Sequence, residues 1–170
     1  MATTMLKGNL VNLAGKEVNV GELAPVVTVT NSDGLADKVV GGACDKVQLL
    51  VVVPSLDTPV CATETRNFNQ KASEIDGVDI TVISMDLPFA GGRFCSTEGI
   101  KNLVVASDFR NKEFANNYGV LIADGALRGV TCRAIFVVGK DGKVTYKEIV
   151  PEITAEPNYD EALSAAKAAV

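Results

Sequence analysis

The sequence predicts an α/β fold in which helices flank a central mixed β-sheet. Residues 47–53 and 78–85 are short apolar runs rich in β-branched side chains, as is typical of buried strands. Between them, residues 59–75 carry apolar side chains at helical spacing. This strand–helix–strand order favours two parallel strands joined by a right-handed crossover.

Shorter strands are predicted near the N-terminus. Segments 10–13 and 17–20 flank an Ala-Gly-Lys sequence at 14–16, which predicts a β-hairpin with its turn at these three residues. Residues 31–46 are rich in Gly, Asp and Ser, which indicates a loop with at most one short strand, at 38–40.

Residues 86–99 lack the apolar periodicity of the segments before them. Pro88 and the Gly91-Gly92 pair interrupt regular structure and indicate a mobile segment. The cysteine at position 95 is therefore expected to lie in a flexible part of the chain.

The C-terminal part of the chain completes the predicted fold. Its elements are a strand at 103–106, a helix at 112–118 ended by Gly119, strands at 132–138 and 143–149 around a Gly-Lys-Asp-Gly turn, and a helix from 156 to about 168. This order is that of a thioredoxin-like fold, in which the last hairpin adds antiparallel strands and the N-terminal hairpin is an extension. We expect a single domain over residues 1–170.

Composition excludes several kinds of partner. The net charge of −5 argues against nucleic acid and anionic membranes as partners. The sequence has no run of the roughly 18 apolar residues that a membrane helix needs. The first residues lack the charged and apolar regions of a signal peptide, so we expect a cytoplasmic protein.

The chain has no histidine and four cysteines, at positions 44, 61, 95 and 132. Without histidine there can be no Cys–His pair, no Ser–His–Asp triad and no His-bearing metal site. The cysteines form no closely spaced pair, which argues against a zinc site and against a thioredoxin-type C-x-x-C dithiol. We expect neither a metal nor a cofactor.

Cys61 is the leading candidate for a reactive group. Asp57 or Thr58 can serve as the N-cap of the predicted helix, and Pro59 suits its first position. Cys61 then lies in the first turn, where unpaired backbone N–H groups favour a thiolate. The alternative is a buried cysteine that only packs. A helix terminus contributes only about 0.3–1 kcal/mol, so activation also requires a cation.

Arg133 is the best candidate for that cation. It begins an apolar strand, where a charge is unusual, and its guanidinium stays protonated at any working pH. The alternative is a surface arginine or an ion pair with an acidic neighbour. Alternation along the strand puts Arg133 on one face and Cys132 on the other. If Arg133 faces Cys61, Cys132 has a packing role.

Several long stretches resemble the thiol peroxidase branch of the peroxiredoxins, which are atypical 2-Cys enzymes of the thioredoxin-like superfamily. The resemblance covers nearly the whole chain. Its most specific stretches are 54–61, 86–90 with 93–95, 107–110, 118–120 and 151–159.

The resemblance implies a peroxidase that reduces alkyl hydroperoxides and H₂O₂. It implies that Cys61 attacks the peroxide, that Cys95 resolves the resulting sulfenic acid as an intramolecular disulfide, and that Pro54, Thr58 and Arg133 surround the reacting sulfur. It also implies a homodimer that thioredoxin recycles. The residues themselves leave simpler roles open, such as a helix cap for Thr58 and packing for Cys95.

Two further expectations complete the sequence-based hypothesis. If Cys61 and Cys95 are too far apart to bond in the reduced protein, residues 88–96 must unwind locally. Cys44 and Cys132 depart from the family pattern, and their roles stay open. A non-enzymatic redox-sensing or chaperone-like module on the same fold is the alternative function, and general disulfide exchange is disfavoured because C-x-x-C is missing.

Overall fold

The computed structural model describes residues 2–170. In chain order its elements are β1 (Thr3–Leu6), β2 (Asn9–Ala14), β3 (Val27–Asn31), β4 (Asp37–Val40), β5 (Val47–Val52), α1 (Pro59–Ala72), β6 (Val78–Ser84), α2 (Pro88–Glu98), β7 (Val104–Ser107), α3 (Glu113–Tyr118), β8 (Leu121–Ile122), β9 (Ala134–Val138), β10 (Val144–Ile149) and α4 (Tyr159–Ala169). No helix among these is long and apolar enough to cross a membrane.

The centre of the fold is a seven-stranded mixed sheet with the order β10-β9-β5-β6-β7-β3-β4. Strands β5, β6 and β7 are parallel, while β9 and β10 on one side and β3 and β4 on the other add antiparallel pairs. Every residue of β5 is buried because both faces of the sheet are covered. The predicted fold class is confirmed.

Two apolar cores lie on opposite faces of the sheet. One contains side chains of α1, α2 and α4, among them Phe68, Phe94 and Leu163. The other contains side chains of β2 and α3, among them Leu13 and Phe114. Each helix therefore buries its apolar face against the same sheet from one side or the other.

The predicted alternation along β9 is confirmed. Ile135 and Val137 belong to the same core as Cys61, whereas Cys132 lies in the opposite core. Cys132 is fully buried there, and burial raises the pKa of its thiol to about 12. Its environment is that of a packing residue.

The N-terminal hairpin exists, but the prediction of its turn was wrong. Strands β1 and β2 pair around Lys7 and Gly8, whose φ angles of 50° and 79° make a tight turn of the kind that joins two adjacent strands. Residues 17–20 form no strand. Gly15 instead allows the chain to pass close to α3, because a Cβ there would meet the carbonyl oxygen of Asn116.

The hairpin is bonded to the segment that follows β10. The amide of Met5 donates to the carbonyl of Pro151 (2.9 Å), and the amide of Ile153 donates to the carbonyl of Met5 (2.8 Å). The carboxylate of Glu152 accepts from the amides of Lys7 and Gly8 at the hairpin turn, and these bonds hold the pKa of Glu152 at about 2.

The segment that carries Cys95 is helical, which corrects the prediction of an irregular stretch. Pro88 occupies the first turn of α2, where its missing N–H costs nothing, and Gly99 ends the helix with a φ of 67°. Position 91 of this helix is a glycine because a Cβ there would collide with the hydroxyl of Ser32. This glycine therefore serves close packing between α2 and Ser32.

Candidate active site

The candidate site lies where β5 leads into α1. The helix begins at Pro59, so Cys61 is its third residue, as the sequence predicted. Thr58 is the N-cap residue, with extended backbone angles of −92° and 145°. Its side chain makes no cap bond, and its hydroxyl instead donates to the carbonyl of Ser55 (2.9 Å). Cys61 is completely buried.

Arg133 contacts Cys61 directly. Its Nη1 donates to the Cys61 Sγ at 3.2 Å, and its Nε donates to the carbonyl of Ile153 at 2.9 Å. The side chain is only 2% exposed. The backbone carbonyl thus fixes the plane of the guanidinium, and the charge is directed at the sulfur. The structure brings together the two residues that the sequence paired.

Glu64 is a site residue that the sequence-based reasoning missed. Its Oε2 accepts from Arg133 Nη1 at 2.6 Å, and its side chain is wholly buried. Its Oε1 has no hydrogen-bond partner among the described residues. Its position in the sequence could have indicated its burial. Glu64 is three residues after Cys61 and four before Phe68, so it shares their apolar helical face.

Burial and charge act in opposite directions on this ion pair. Burial raises the pKa of Glu64 to about 7, although Arg133 lowers it. Burial lowers the pKa of Arg133, but Cys61 and Glu64 together outweigh that effect and raise it. The guanidinium therefore stays charged beside the sulfur even without water.

A cavity of about 250 Å³ opens beside Arg133. Pro54 and Thr58 line it from the β5–α1 loop, so three of the predicted site residues border the same space. Most of the other lining side chains are apolar, namely those of Leu6, Pro59, Val60, Leu127, Val130 and Ile153. This cavity can admit a small molecule with an apolar tail to the buried end of the arginine.

Cys95 lies apart from this cavity. It is half-buried on α2, beside a second cavity of about 530 Å³ that Ser32 and Asp33 also line. Burial raises the pKa of its thiol, and the charge of Asp33 adds to that effect. All four cysteines are free thiols, and Cys44 is exposed beside Asp45.

Helix α2 is bound to α1 near its C-terminal end. Arg66 pairs with Glu98 at 2.9 Å, and the side-chain oxygen of Asn69 accepts from the amides of Lys101 (3.0 Å) and Asn102 (2.8 Å). The chain that follows α2 is thus anchored to the helix that carries Cys61.

Comparison with known proteins gives a consistent result. Residues 19–163 match the model of the Redoxin family. The chain is 54% identical over 165 residues to a thiol peroxidase of Aquifex aeolicus, covering 97% of this chain and 96% of that protein. It is 55% identical over 158 residues to a thiol peroxidase of Campylobacter jejuni, covering 93% and 89%.

Solved structures agree. The crystal structure of a peroxiredoxin-like protein from Aquifex aeolicus superposes with a TM-score of 0.96 at 53% identity, covering 100% of this chain and 98% of that one. A thiol peroxidase from Chromobacterium violaceum superposes with a TM-score of 0.85 over 95% and 93% of the two chains. Because the two sequences are only 20% identical, this second similarity shows a shared fold alone.

Proposed function

This chain belongs to the Redoxin family and is a thiol-dependent peroxidase, and from that premise we propose that Cys61 is the sulfur that attacks the peroxide. The observation that carries this proposal is the 3.2 Å contact between Arg133 Nη1 and Cys61 Sγ in the first turn of α1. A purely sensory or chaperone-like role is not favoured, since the relatives at about half identity are named thiol peroxidases.

Two positive influences act on the sulfur of Cys61. The start of α1 presents unpaired N–H groups, and Arg133 supplies a full charge at hydrogen-bond distance. The bond from Arg133 is charge-assisted, and such a bond is about twice as strong as a neutral hydrogen bond. The backbone N–H groups at the start of α1 offer only neutral donors. The chain needs no histidine for this activation.

The proposed first step is an in-line displacement at oxygen. The thiolate of Cys61 forms a bond to one peroxide oxygen while the O–O bond breaks, and the second oxygen leaves with the electron pair and takes a proton to become an alcohol or water. The sulfur is oxidised to a sulfenic acid and the peroxide is reduced. The Arg133 fork stabilises the charge that develops on the oxygens.

Thr58 and Pro54 shape the position of the peroxide. Because the Thr58 hydroxyl donates its hydrogen to Ser55, its remaining lone pairs can accept the O–H of a hydroperoxide. Pro54 borders the same cavity without contributing an N–H donor. We propose both as substrate-positioning residues.

The apolar lining of the cavity favours alkyl hydroperoxides over H₂O₂ as substrates. Each CH₂ group that leaves water contributes about 0.8 kcal/mol to binding, and most of the side chains around the cavity are apolar. The same site can still accept H₂O₂, since the contacts to the two oxygens do not depend on the alkyl group.

We propose that Cys95 resolves the sulfenic acid. Its thiol condenses with the Cys61 sulfenic acid to give a disulfide and one water molecule. A disulfide requires Cα atoms within about 7 Å, and we expect residues 88–96 to unwind in order to meet this distance. Unwinding would also remove the burial that raises the pKa of the Cys95 thiol.

The proposed partners are a dithiol reductant of the thioredoxin type and a second copy of this chain. The unwound segment would expose the disulfide to attack by the reductant thiolate. Leu87 (53% exposed) and Phe89 (72% exposed) place apolar surface at the start of α2, which suits contact with a second copy. Four free thiols suit the reducing cytoplasm.

Disulfide mapping after one equivalent of cumene hydroperoxide tests the reaction. The protein should become two hydrogens lighter, with a peptide link between Cys61 and Cys95. Cys61→Ser should abolish turnover with thioredoxin, and continued turnover would contradict the proposal. Cys95→Ser should react once and then stall or over-oxidise, whereas Cys132→Ser, in the opposite core, should keep the Cys61–Cys95 link.

A further inference from the structure

Asp86 connects the two segments that carry the reacting cysteines. It lies two residues before Pro88, where α2 begins, and its carboxylate reaches the loop that opens α1. One oxygen accepts from the Ser55 hydroxyl (2.7 Å), and the other accepts from the amide of Leu56 (2.7 Å). The Ser84 hydroxyl also donates to it at 2.9 Å.

Ser55 carries the connection on to Thr58. The hydroxyl of Ser55 donates to Asp86, while its backbone carbonyl accepts from the Thr58 amide (3.2 Å) and the Thr58 hydroxyl (2.9 Å). The amide of Asp57 donates to the Ser55 hydroxyl oxygen at 3.2 Å. One residue, Ser55, and two hydrogen bonds therefore connect the Asp86 carboxylate to the Thr58 hydroxyl.

The carboxylate of Asp86 is engaged by hydrogen-bond donors alone. Within residues 2–170 it forms no ion pair, and all its partners come from the β5–α1 loop or from the end of β6. Its own carbonyl accepts from the Ser107 hydroxyl at the end of β7. Asp86 is thus fixed to the sheet on one side and holds the loop on the other.

We propose that Asp86 is a positioning residue for the peroxide step, acting through Ser55 on the Thr58 hydroxyl. This inference rests on the proposed roles of Cys61 and Thr58. The Thr58 carbonyl accepts from the amide of Ala62 (3.0 Å), but its side chain makes no cap bond, so α1 itself does not hold the hydroxyl. Asp86 supplies the missing constraint, and the same residue defines the fixed end from which the Cys95 segment unwinds.

The alternative is that Asp86 only stabilises the fold. The two roles differ in what they do to two reactions of Cys61. Reaction with a hydroperoxide needs Thr58 and Arg133 in place, whereas alkylation of the buried Cys61 sulfur by iodoacetamide makes no use of the Thr58 hydroxyl. A change that displaces Thr58 slows the first reaction alone.

The experiment uses Asp86→Asn and Ser55→Ala in a Cys95→Ser background, so that only the first step is observed. The chain has no tryptophan, so quench-flow with peptide mass spectrometry replaces fluorescence. Each variant should react with cumene hydroperoxide about ten- to a hundredfold more slowly, with iodoacetamide rates changed by less than about threefold. The double variant should be no slower than the slower single variant, because both act through one contact.

Asp79→Asn is the matched control. Asp79 lies near the start of β6, whereas Asp86 follows the end of that strand, and Asp79 pairs with Lys38 at 3.0 Å. It should leave both rates unchanged. An unchanged peroxide rate in Asp86→Asn, or a parallel fall in both rates, would overturn the inference. Failure of the proposed function looks different, because Cys61→Ser would then still consume peroxide.

Discussion

Glu64 and Arg133 form a 2.6 Å ion pair that lies wholly inside the protein, and the nitrogen that makes it also donates to the Cys61 sulfur. One guanidinium nitrogen thus serves two acceptors. The Glu64 carboxylate fixes the position of the guanidinium, and at that position the guanidinium donates a hydrogen bond to the Cys61 sulfur. The proposed reactive centre is therefore a set of three residues, two of which were predicted from the sequence.

Removing Glu64 should destabilise the protein strongly. In Glu64→Ala the buried guanidinium loses its carboxylate partner, and breaking such a pair costs about 3 kcal/mol or more. Urea unfolding at pH 8 measures the loss. Glu98→Ala is the control, because it breaks an Arg–Glu pair of similar length at the surface and should cost less than about 1 kcal/mol. Equal losses would contradict the assignment of the buried pair as the critical one.

The stability that Glu64 contributes should depend on pH. Burial raises the pKa of Glu64 from its ordinary value of 4.5 to about 7, so the folded protein holds this proton more tightly than the unfolded chain does. The pH-dependent part of this contribution is therefore full below pH 4.5 and is lost as the pH rises to about 7, whereas the ion pair with Arg133 persists at higher pH. The difference in unfolding free energy between the unchanged protein and Glu64→Gln should fall across this window. A difference independent of pH would exclude the raised pKa.

Arg133→Lys should slow the peroxide step by about a hundredfold, because a lysine keeps the charge but loses the planar fork that meets both Ile153 and the sulfur. Quench-flow measurement of sulfenic acid formation checks this. Arg66→Lys serves as the control, since Arg66 is half-exposed and pairs only with Glu98 among the described residues. If Arg133→Lys retains the full rate, the fork geometry has no part in the reaction.

Two neighbouring glycines of α2 should have opposite effects on disulfide formation. A Cβ at Gly91 collides with the hydroxyl of Ser32, so Gly91→Ala weakens the docking of α2 and should speed the Cys61–Cys95 disulfide about fivefold or more. A Cβ at Gly92 meets only the Ser32 carbonyl, at 3.5 Å, and alanine favours the helix by about 1 kcal/mol. Gly92→Ala should therefore slow the disulfide about fivefold.

The measurement is the rate at which the sulfenic acid disappears after a peroxide pulse. Hydrogen exchange of residues 88–96 provides the independent readout, with faster exchange in Gly91→Ala and slower exchange in Gly92→Ala. If both variants change the rate in the same direction, helix opening does not limit the second step.

The sequence predicted the sheet and the pairing of Cys61 with Arg133 because both follow from simple periodicity. The alternation along β9 is set by the strand backbone, and the position of Cys61 is set by Pro59 at the start of α1. These constraints are local, and no distant contact overrides them.

The errors came from residues whose role depends on a distant neighbour. Gly91 is required by its close approach to Ser32, and Gly15 by its close approach to Asn116. Both contacts are distant in sequence, so the sequence alone could not distinguish glycines required for packing from glycines required for a turn. Glu64 was passed over because a charged residue in a helix usually faces water. Its burial depends on an arginine that is 69 positions away in the chain.

The carbonyl that orients Arg133 belongs to Ile153, and the amide of the same residue is bonded to Met5 in the N-terminal hairpin. Strand β1 thus braces the peptide unit against which the Arg133 guanidinium rests. Trimming residues 2–14, or fusing a bulky tag that distorts them, would consequently damage peroxide reduction without altering either cysteine.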